Sequence, residues 1–351
     1  MYYIGIDLGG TNIKAGVCDE NGKILIKDSV KTHVEKGLEY VVDTMSGLAL
    51  DLVKRQGLTV DDIEYIGVAT PGTADDNTGV IVYCSSIPFR AYPLAEKMSE
   101  KTGIKIVHIE NDANAAAKGE ATVGSAKGYN SSLLITLGTG VGGGFVYNGK
   151  LFTGCNFAAF EVGHMVINAD NGPDCDCSRR GCWEKLASAT ALERMTREAM
   201  EAHRESSMWK LCDGDIANAS ARTAFIAQRE GDKTGDEVVS KYIGYLACGL
   251  VNMINILQPE IITIGGGVCN EGKYLLDPLL EIIEREQYSR YGSRKTKIAI
   301  ASLGNDAGLV GAAEEPSCLA LVGPEGLLHQ HVLPGVQSRR TDLRMAAVLH
   351  T

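Results

Sequence analysis

No stretch of the chain approaches the roughly 18 consecutive apolar residues that a membrane-crossing helix needs. The opening MYYIGIDLGG has neither a basic lead nor a continuous apolar core, so no secretory signal is expected. Basic residues are in the minority, 34 Lys and Arg against 44 Asp and Glu, for a net charge of −10. An acidic surface repels phosphate backbones, which argues against a nucleic-acid partner. Ten cysteines in a chain without a signal point to thiols and metal ligands in a cytoplasmic protein, not to disulfides. What is present is a soluble globular composition, 44% hydrophobic and 22% charged. At 351 residues the chain exceeds one ordinary core and suits two domains of about 150 residues each.

Short apolar runs at Tyr2 to Asp7, Ile13 to Val17 and Lys23 to Ser29, separated by a glycine turn and by Asn21-Gly22, predict an antiparallel meander. No helix follows the glycines, so this is not a dinucleotide-binding strand–loop–helix unit. Apolar residues at helical spacing predict a helix over Gly37 to Lys54, and strands and helices alternate from there to Thr122. The opening pattern then repeats: strand Ser132 to Leu137, glycine turn Gly138 to Gly144, strand Phe145 to Tyr147 and the turn Asn148-Gly149. A unit that heads both halves implies two related α/β domains with a cleft between them. Beyond it lie a long helical region from Trp183 to about Gln228, a helix near Glu237 to Leu257 with an apolar stripe read as core, and a strand at Ile261 to Ile264. A helix near Leu275 to Glu286, a strand at Lys297 to Ala301 and a last helix at Asn305 to Glu314 complete the pattern. Residues 316–351 carry breakers and no apolar period, and are expected to be disordered or foreign to the natural domain.

Three glycine turns each leave an apolar strand: Gly9-Gly10-Thr11, Gly138 to Gly144 and Gly265-Gly266-Gly267. Glycines let backbone amides approach an anion, and a threonine hydroxyl adds a donor. A hairpin also wants glycine, so one such turn alone decides nothing. Asp7, beside the first, suits the water shell of Mg²⁺, a hard cation that phosphate shares, or a simple cap of its turn. Asp112 begins a helix, where it serves either as the cap or as a general base kept ionised by the helix end. Asn111 beside it, donor and acceptor together, suits a ring of hydroxyls. His164, Cys175, Cys177 and Cys182 lie within one loop, separated by ten, one and four residues, with Glu161 and Glu184 at its ends. A thiolate and imidazole set of four suits a closed tetrahedral zinc that holds the loop, against the alternative of unrelated buried side chains.

Together DLGGTN (Asp7 to Asn12), ENDANAAAKGE (Glu110 to Glu120), LGTGVGGG (Leu137 to Gly144), EVGHM (Glu161 to Met165), CDCSRRGCWE (Cys175 to Glu184) and LGNDAGLVGAA (Leu303 to Ala313) resemble the ROK family of sugar kinases and related repressors. The resemblance implies the actin-like ATPase (ribonuclease H-like) fold, with a small α/β domain of residues 1–117 and 303–315 and a large one of residues 118–302. It implies an ATP-dependent kinase acting on the 6-hydroxyl of a hexose, most often glucose, with fructose, allose or N-acetylmannosamine as alternatives and a non-catalytic sugar sensor as the remote one. Family repressors carry a DNA-binding domain ahead of the DLGGT motif, and six residues leave no room for it, so a repressor is not expected.

Carried over, the family implies Asp112 as the base and Asn111, Glu161, His164 and Glu184 on the other sugar hydroxyls. It places Asp7, Gly9, Gly10, Thr11 and Asn12 in one phosphate loop and Thr136, Gly138, Thr139 and Gly140 in a second. Gly265, Gly266, Gly267 and Val268 would line the nucleotide. ATP, Mg²⁺ and a structural Zn²⁺ on His164, Cys175, Cys177 and Cys182 are the implied cofactors, in a homo-oligomer, dimer or tetramer. Three departures stand out: Ser178 where the family usually has glycine, Phe160 where a small residue precedes Glu161, and Ser85 to Phe89 without the usual Asn and Trp. The last two border the expected sugar pocket.

Overall fold

The computed structural model describes residues 1–314, so the expectation for 316–351 lies outside the described residues. The first sheet takes strands β1 (Tyr2–Leu8), β2 (Asn12–Asp19), β3 (Ile24–Lys31) and β4 (Ile63–Thr70), with helix α1 (Leu38–Arg55) between the last two. Short strands β5 (Thr73–Asp75), β6 (Val80–Tyr83) and β7 (Arg90–Tyr92) form a separate three-stranded sheet. Helix α2 (Leu94–Thr102) and strand β8 (Val107–Asn111) follow, and the first sheet has the order β3-β2-β1-β4-β8. Helix α3 (Asp112–Thr122) carries the chain across to β9 (Ser131–Leu137), β10 (Val141–Tyr147) and β11 (Lys150–Leu151). Then come α4 (Glu184–Ala187), α5 (Ala189–Ala202), α6 (Met208–Leu211), α7 (Thr223–Arg229), α8 (Lys233–Leu257), β12 (Ile261–Gly265), α9 (Lys273–Glu286), β13 (Lys297–Ile300) and α10 (Ala307–Ala312).

The second sheet has the order β11-β10-β9-β12-β13. In both sheets the first strand pairs antiparallel with the second and the second with the third, while the fourth and fifth run parallel to the first. The repeat read from turns and apolar runs is therefore a repeat of topology. One core packs α1 and α2 on the first sheet, around Ile4, Ile6, Met45, Leu52, Ile66 and Phe89. A second surrounds the other sheet with Trp183, Phe225, Tyr242, Leu246 and Leu250, so the stripe on α8 is core as expected.

Helices α10 and α3 pack together between the two sheets, and glycine lets them approach. A Cβ on Gly67 of β4 would lie 1.7 Å from the Ala312 carbonyl oxygen of α10, and one on Gly144 of β10 would lie 2.8 Å from the Ala113 carbonyl oxygen of α3. The run Gly142 to Gly144 is thus strand, not turn. Gly142 and Gly144 make room for the helix that bears Asp112, Gly143 faces Val162 on the other side, and the turn itself is confined to residues 138–140. The expected helical region from Trp183 to Gln228 is divided into four α-helices and a 3₁₀ turn at Ile216–Asn218. Ser188 starts a new helix by accepting the Ala191 N–H, and Asp213-Gly214, both at positive φ, end another segment.

Candidate active site and metal-ligand cluster

Each predicted glycine turn lies at the end of a sheet strand, and a cavity of 700 Å³ opens where these ends converge. Of the predicted residues, Asp7, Asp112, Thr136, Gly138, Thr139, Gly140, Glu184, Gly265, Gly266 and Gly267 line it. Gly9, Gly10, Thr11 and Asn12 form the tight turn between β1 and β2, closed by Gly9 N–H donating to the Asn12 carbonyl at 3.0 Å; they are not among the lining residues. Val268 is buried behind the third turn.

The junction of β8 and α3 resolves the two readings of Asp112. Asn111 is the cap: its Oδ1 accepts the N–H groups of Ala113 at 2.9 Å and Asn114 at 3.1 Å, and its Nδ2 donates to Gly72 O at 3.0 Å. Asp112 is therefore the first helical residue, with its side chain turned to the cavity. Asn111 has its oxygen committed to the helix, which leaves an N–H for a ligand. Glu110 braces this cap by accepting from Asn111 N–H at 2.8 Å and Asn114 Nδ2 at 3.1 Å, and burial pushes its carboxyl up to about 7.

Asp112 itself is raised to about 6, first by burial and then, against its bond from Ala113 N–H, by the carboxylates of Asp7 and Glu161. Glu161 is raised by burial and by Glu184, with His164 opposing, and Asp7 by burial, with Lys14 opposing. Asp112 and Glu161 keep an open face to cleft water. The low-polarity protein around their other sides, not complete occlusion, lifts them, and water in the open cleft moderates the effect. The floor of the cleft is thus a group of carboxylates short of positive charge.

One cation among the described lining residues answers it. Lys14 Nζ lies 3.3 Å from Asp7 Oδ2 and donates to Asn305 O at 3.1 Å. The sequence motifs do not single out Lys14, although the β1–β2 register pairs Asp7 directly with it. A hairpin closed around Gly9 to Asn12 is the signal that finds it. Asn305 and Gly308, within the motif ahead of and into α10, also line the cavity, a role that the motif alone does not reveal.

Glu161 and His164 line a neighbouring open recess of 440 Å³ with Phe160 and Arg179. Glu184 Oε2 accepts Val141 N–H at 3.3 Å, so it stands against the second glycine turn. Behind Glu184, Trp183 is fully buried and donates its indole N–H to Tyr245 O of α8 at 3.0 Å, which fixes the end of the cysteine loop to the core.

The structure brings His164, Cys175, Cys177 and Cys182 together with all four ligand atoms within 4.8 Å of one another. Cys175 Sγ is 3.6 Å from His164 Nδ1, and Cys177 Sγ is 3.6 Å from Cys182 Sγ. Tetrahedral zinc with bonds of about 2.3 Å to sulfur and 2.0 Å to nitrogen has ligand–ligand edges of about 3.5–3.8 Å, so the donor set fits in both chemistry and spacing. The two isolated bridges Val166–Cys182 and Asp174–Arg180 hold the loop from either side.

The ROK family model matches residues 3–314. The chain belongs to the ROK family. This ROK chain is 36% identical over 312 residues to a glucokinase of Thermotoga maritima, covering 88% of itself and 95% of that protein. Among solved structures it is similar to a ROK glucokinase from Streptomyces griseus in complex with glucose and AMPPNP, at a TM-score of 0.76 and 34% identity, over 89% of this chain and 98% of the other. A ROK hexokinase from Thermus thermophilus gives a TM-score of 0.74 at 35% identity, over 89% and 97%. The two matching sheets of this ROK protein are the actin-like ATPase fold that its motifs implied.

Proposed function

We propose that the protein is an ATP-dependent hexose kinase that transfers the γ-phosphoryl group to the 6-hydroxyl of glucose. The observation that carries this reading is Asp112, released from capping by Asn111 and facing the same cavity as Asp7, Lys14 and two of the glycine turns. The similarity to glucokinases of Thermotoga maritima and Streptomyces griseus selects glucose over fructose, allose or N-acetylmannosamine as the first substrate to test.

In this mechanism Asp112 accepts the proton of the sugar hydroxyl as that oxygen attacks phosphorus. Glu161, Glu184 and His164 accept from or donate to the remaining hydroxyls, with the free N–H of Asn111 beside them. His164 turns Nδ1 to the cysteines, which leaves Nε2 for the sugar. The turns at Thr136 to Gly140 and Gly265 to Gly267, which line the cavity, offer amides to the nucleotide phosphates, and Lys14 offers charge; Gly9 to Asn12 and Val268 would support this site from behind unless the cleft closes on them. Mg²⁺, held by the phosphates and the water shell around Asp7, would neutralise developing charge; the oxygen-rich, cation-poor floor suits it. Zinc on His164, Cys175, Cys177 and Cys182 would fix the loop that bears the sugar contacts.

Residues 1–117 with 303–315 and residues 118–302 act as two lobes in this reading. Sugar binding draws them together and excludes water, which would otherwise compete as acceptor. Sugar and ATP are the partners, with neither nucleic acid nor membrane, and the location is cytoplasmic. Among the described residues no helix is long and apolar enough to cross a membrane. A dimer or tetramer belongs to the same proposal, and Tyr288 and Tyr291, 90% and 89% exposed, are the first residues to test at its interface.

The test is a coupled ADP-release assay over a panel of hexoses with ATP and Mg²⁺. Turnover with glucose above the other sugars is expected, lost in Asp112→Ala while sugar still binds. No ADP release with any hexose would overturn the kinase reading, and near-normal turnover in Asp112→Ala would remove Asp112 as the base.

A further inference from the structure

Glu161 is the centre of an inverse γ-turn: its φ is −67° and ψ 55°, and Val162 N–H donates to Phe160 O at 2.6 Å across it. Phe160, on the near side of that turn, has φ 62°, in the left-handed region that a bulky side chain rarely adopts. A glycine would take this conformation without strain, so something must hold an aromatic residue there. Two rings do so. Phe145 of β10 stacks on Phe160 with centroids 5.2 Å apart and planes at 28°, and Phe152, just past β11, meets it edge to face at 5.8 Å and 89°. Both partners are anchored on the second sheet, whose strands also position the second glycine turn. The Phe160 ring is not sealed in the core; it lines the same recess as Glu161 and His164.

We propose that Phe160 is a positioning residue for Glu161: the Phe145–Phe152–Phe160 cluster locks the left-handed backbone at 160 and so sets the direction from which the Glu161 carboxylate meets the sugar. On β10, Gly143 sits against Val162 and the Phe160 carbonyl while its neighbour Gly142 sits against Ala113, so the turn that bears Glu161 and the helix that bears Asp112 flank one strand and the direction of Glu161 is set relative to Asp112. A turn with glycine at 160 would leave that direction free to wander. With the aromatic lock it is fixed, and the site discriminates between hexoses that differ in the orientation of one hydroxyl. This inference rests on the hexose kinase reading and deepens it to a specificity-determining position.

The experiment compares wild type, Phe160→Gly, Phe160→Tyr and Phe145→Leu for kcat, for KM of sugar and of ATP, for bound zinc, and for preference between glucose and its epimers mannose and allose. Phe160→Gly should raise the sugar KM by about tenfold or more and compress the epimer preference, with ATP KM and zinc content unchanged. Phe160→Tyr should behave as wild type. Phe145→Leu, which leaves residue 160 intact, should shift sugar KM the same way by a smaller factor, and it serves if Phe160→Gly fails to fold. An active wild type with both sugar KM and epimer preference unaltered in Phe160→Gly, or in Phe145→Leu where that variant stands in, overturns this inference alone. A wild type that releases no ADP with any hexose overturns the kinase reading and this inference with it.

Discussion

Glu120 Oε1 accepts the backbone N–H of Leu303 at 2.7 Å, and its Oε2 accepts Ser125 N–H at 2.7 Å and Ser302 Oγ at 3.4 Å. The side chain is fully buried near the end of α3, where the chain leaves for the second sheet, and residues 302 and 303 are where it returns toward α10. One carboxylate therefore ties both crossings between the sheets, and Ser125 Oγ adds a bond to Ile300 O at 2.8 Å. Glu120→Gln replaces an acceptor-only group by one that points N–H at N–H. Loss of at least one such bond in a buried site costs about 3 kcal/mol, so the urea midpoint should fall clearly. A midpoint within error of wild type would show that these bonds add nothing.

In the proposed reaction Lys14, which lines the cavity beside Asp7, is the cation that meets the nucleotide phosphates. Its ion pair with Asp7, at 3.3 Å and partly open to water, has little worth as a stabilising bridge. Its value lies in the charge it offers to a bound polyphosphate. Lys14→Met should lower kcat/KM for ATP by about 10²-fold, the cost of losing one donor to developing charge. Sugar affinity should be unchanged, and Lys14→Arg should recover part of the loss. A Lys14→Met enzyme with normal ATP kinetics would remove the residue from the reaction.

The acid limb of the rate profile should report Asp112. Its pKa is raised to about 6, so the proposed base is protonated and idle below that pH and ionised and competent above it. The profile of kcat/KM for sugar should fall with unit slope below about pH 6, well above the ordinary carboxylate range. Glu110, pushed up to about 7, titrates nearby, and Glu110→Gln should leave the limb in place if Asp112 is its source. A rate that stays flat to pH 5 would show that Asp112 is not raised in the working enzyme, and the Asp112→Ala variant would then decide its role as the base.

Much of this architecture is legible in the residues because each five-stranded sheet announces itself by short apolar runs and an Asn-Gly turn. The sheet β5–β7 does not, because its strands are three or four residues long and sit among Asp75-Asp76-Asn77 and Ser85-Ser86, where turn chemistry dominates. At Asn111-Asp112 two equally good caps are adjacent, and composition cannot choose between them. The choice comes from β8, which pairs Asn111 with Thr70 and so leaves Asp112 as the first residue to turn. Lys14 is hidden for a related reason: its partner is set by cross-strand register, not by proximity along the chain. The departures are visible as a missing glycine at Ser178 and a missing small residue at Phe160. Both prove to have positive φ, 62° and 66°, so the preference for a small residue there is a backbone preference.

Metal removal tests the cysteine loop. Its hydrogen bonds are mostly within the loop itself, such as Cys175 N–H to Arg179 O at 2.8 Å and Ile167 N–H to Gly181 O at 2.9 Å, and the side chains of Asp174, Asp176 and Arg180 are 86%, 93% and 63% exposed. Nothing apolar holds residues 168–181 in the way that Trp183 holds the start of α4. A zinc at the four converging ligand atoms would supply that order, and its binding energy would then be part of the folding energy of the loop. Elemental analysis should find about one zinc per chain, lost on Cys177→Ala. The zinc-free protein should keep most of its ATP binding, because the glycine turns are carried by sheet strands and the second touches the loop only at its ends, through Glu184 and Gly163. Its sugar KM should rise steeply, because Glu161 and His164 enter the loop and Glu184 leaves it. Full activity in a metal-free protein would defeat the structural role. A loss of ATP and sugar affinity in equal measure would mean that the metal holds the whole lobe and not the sugar wall alone.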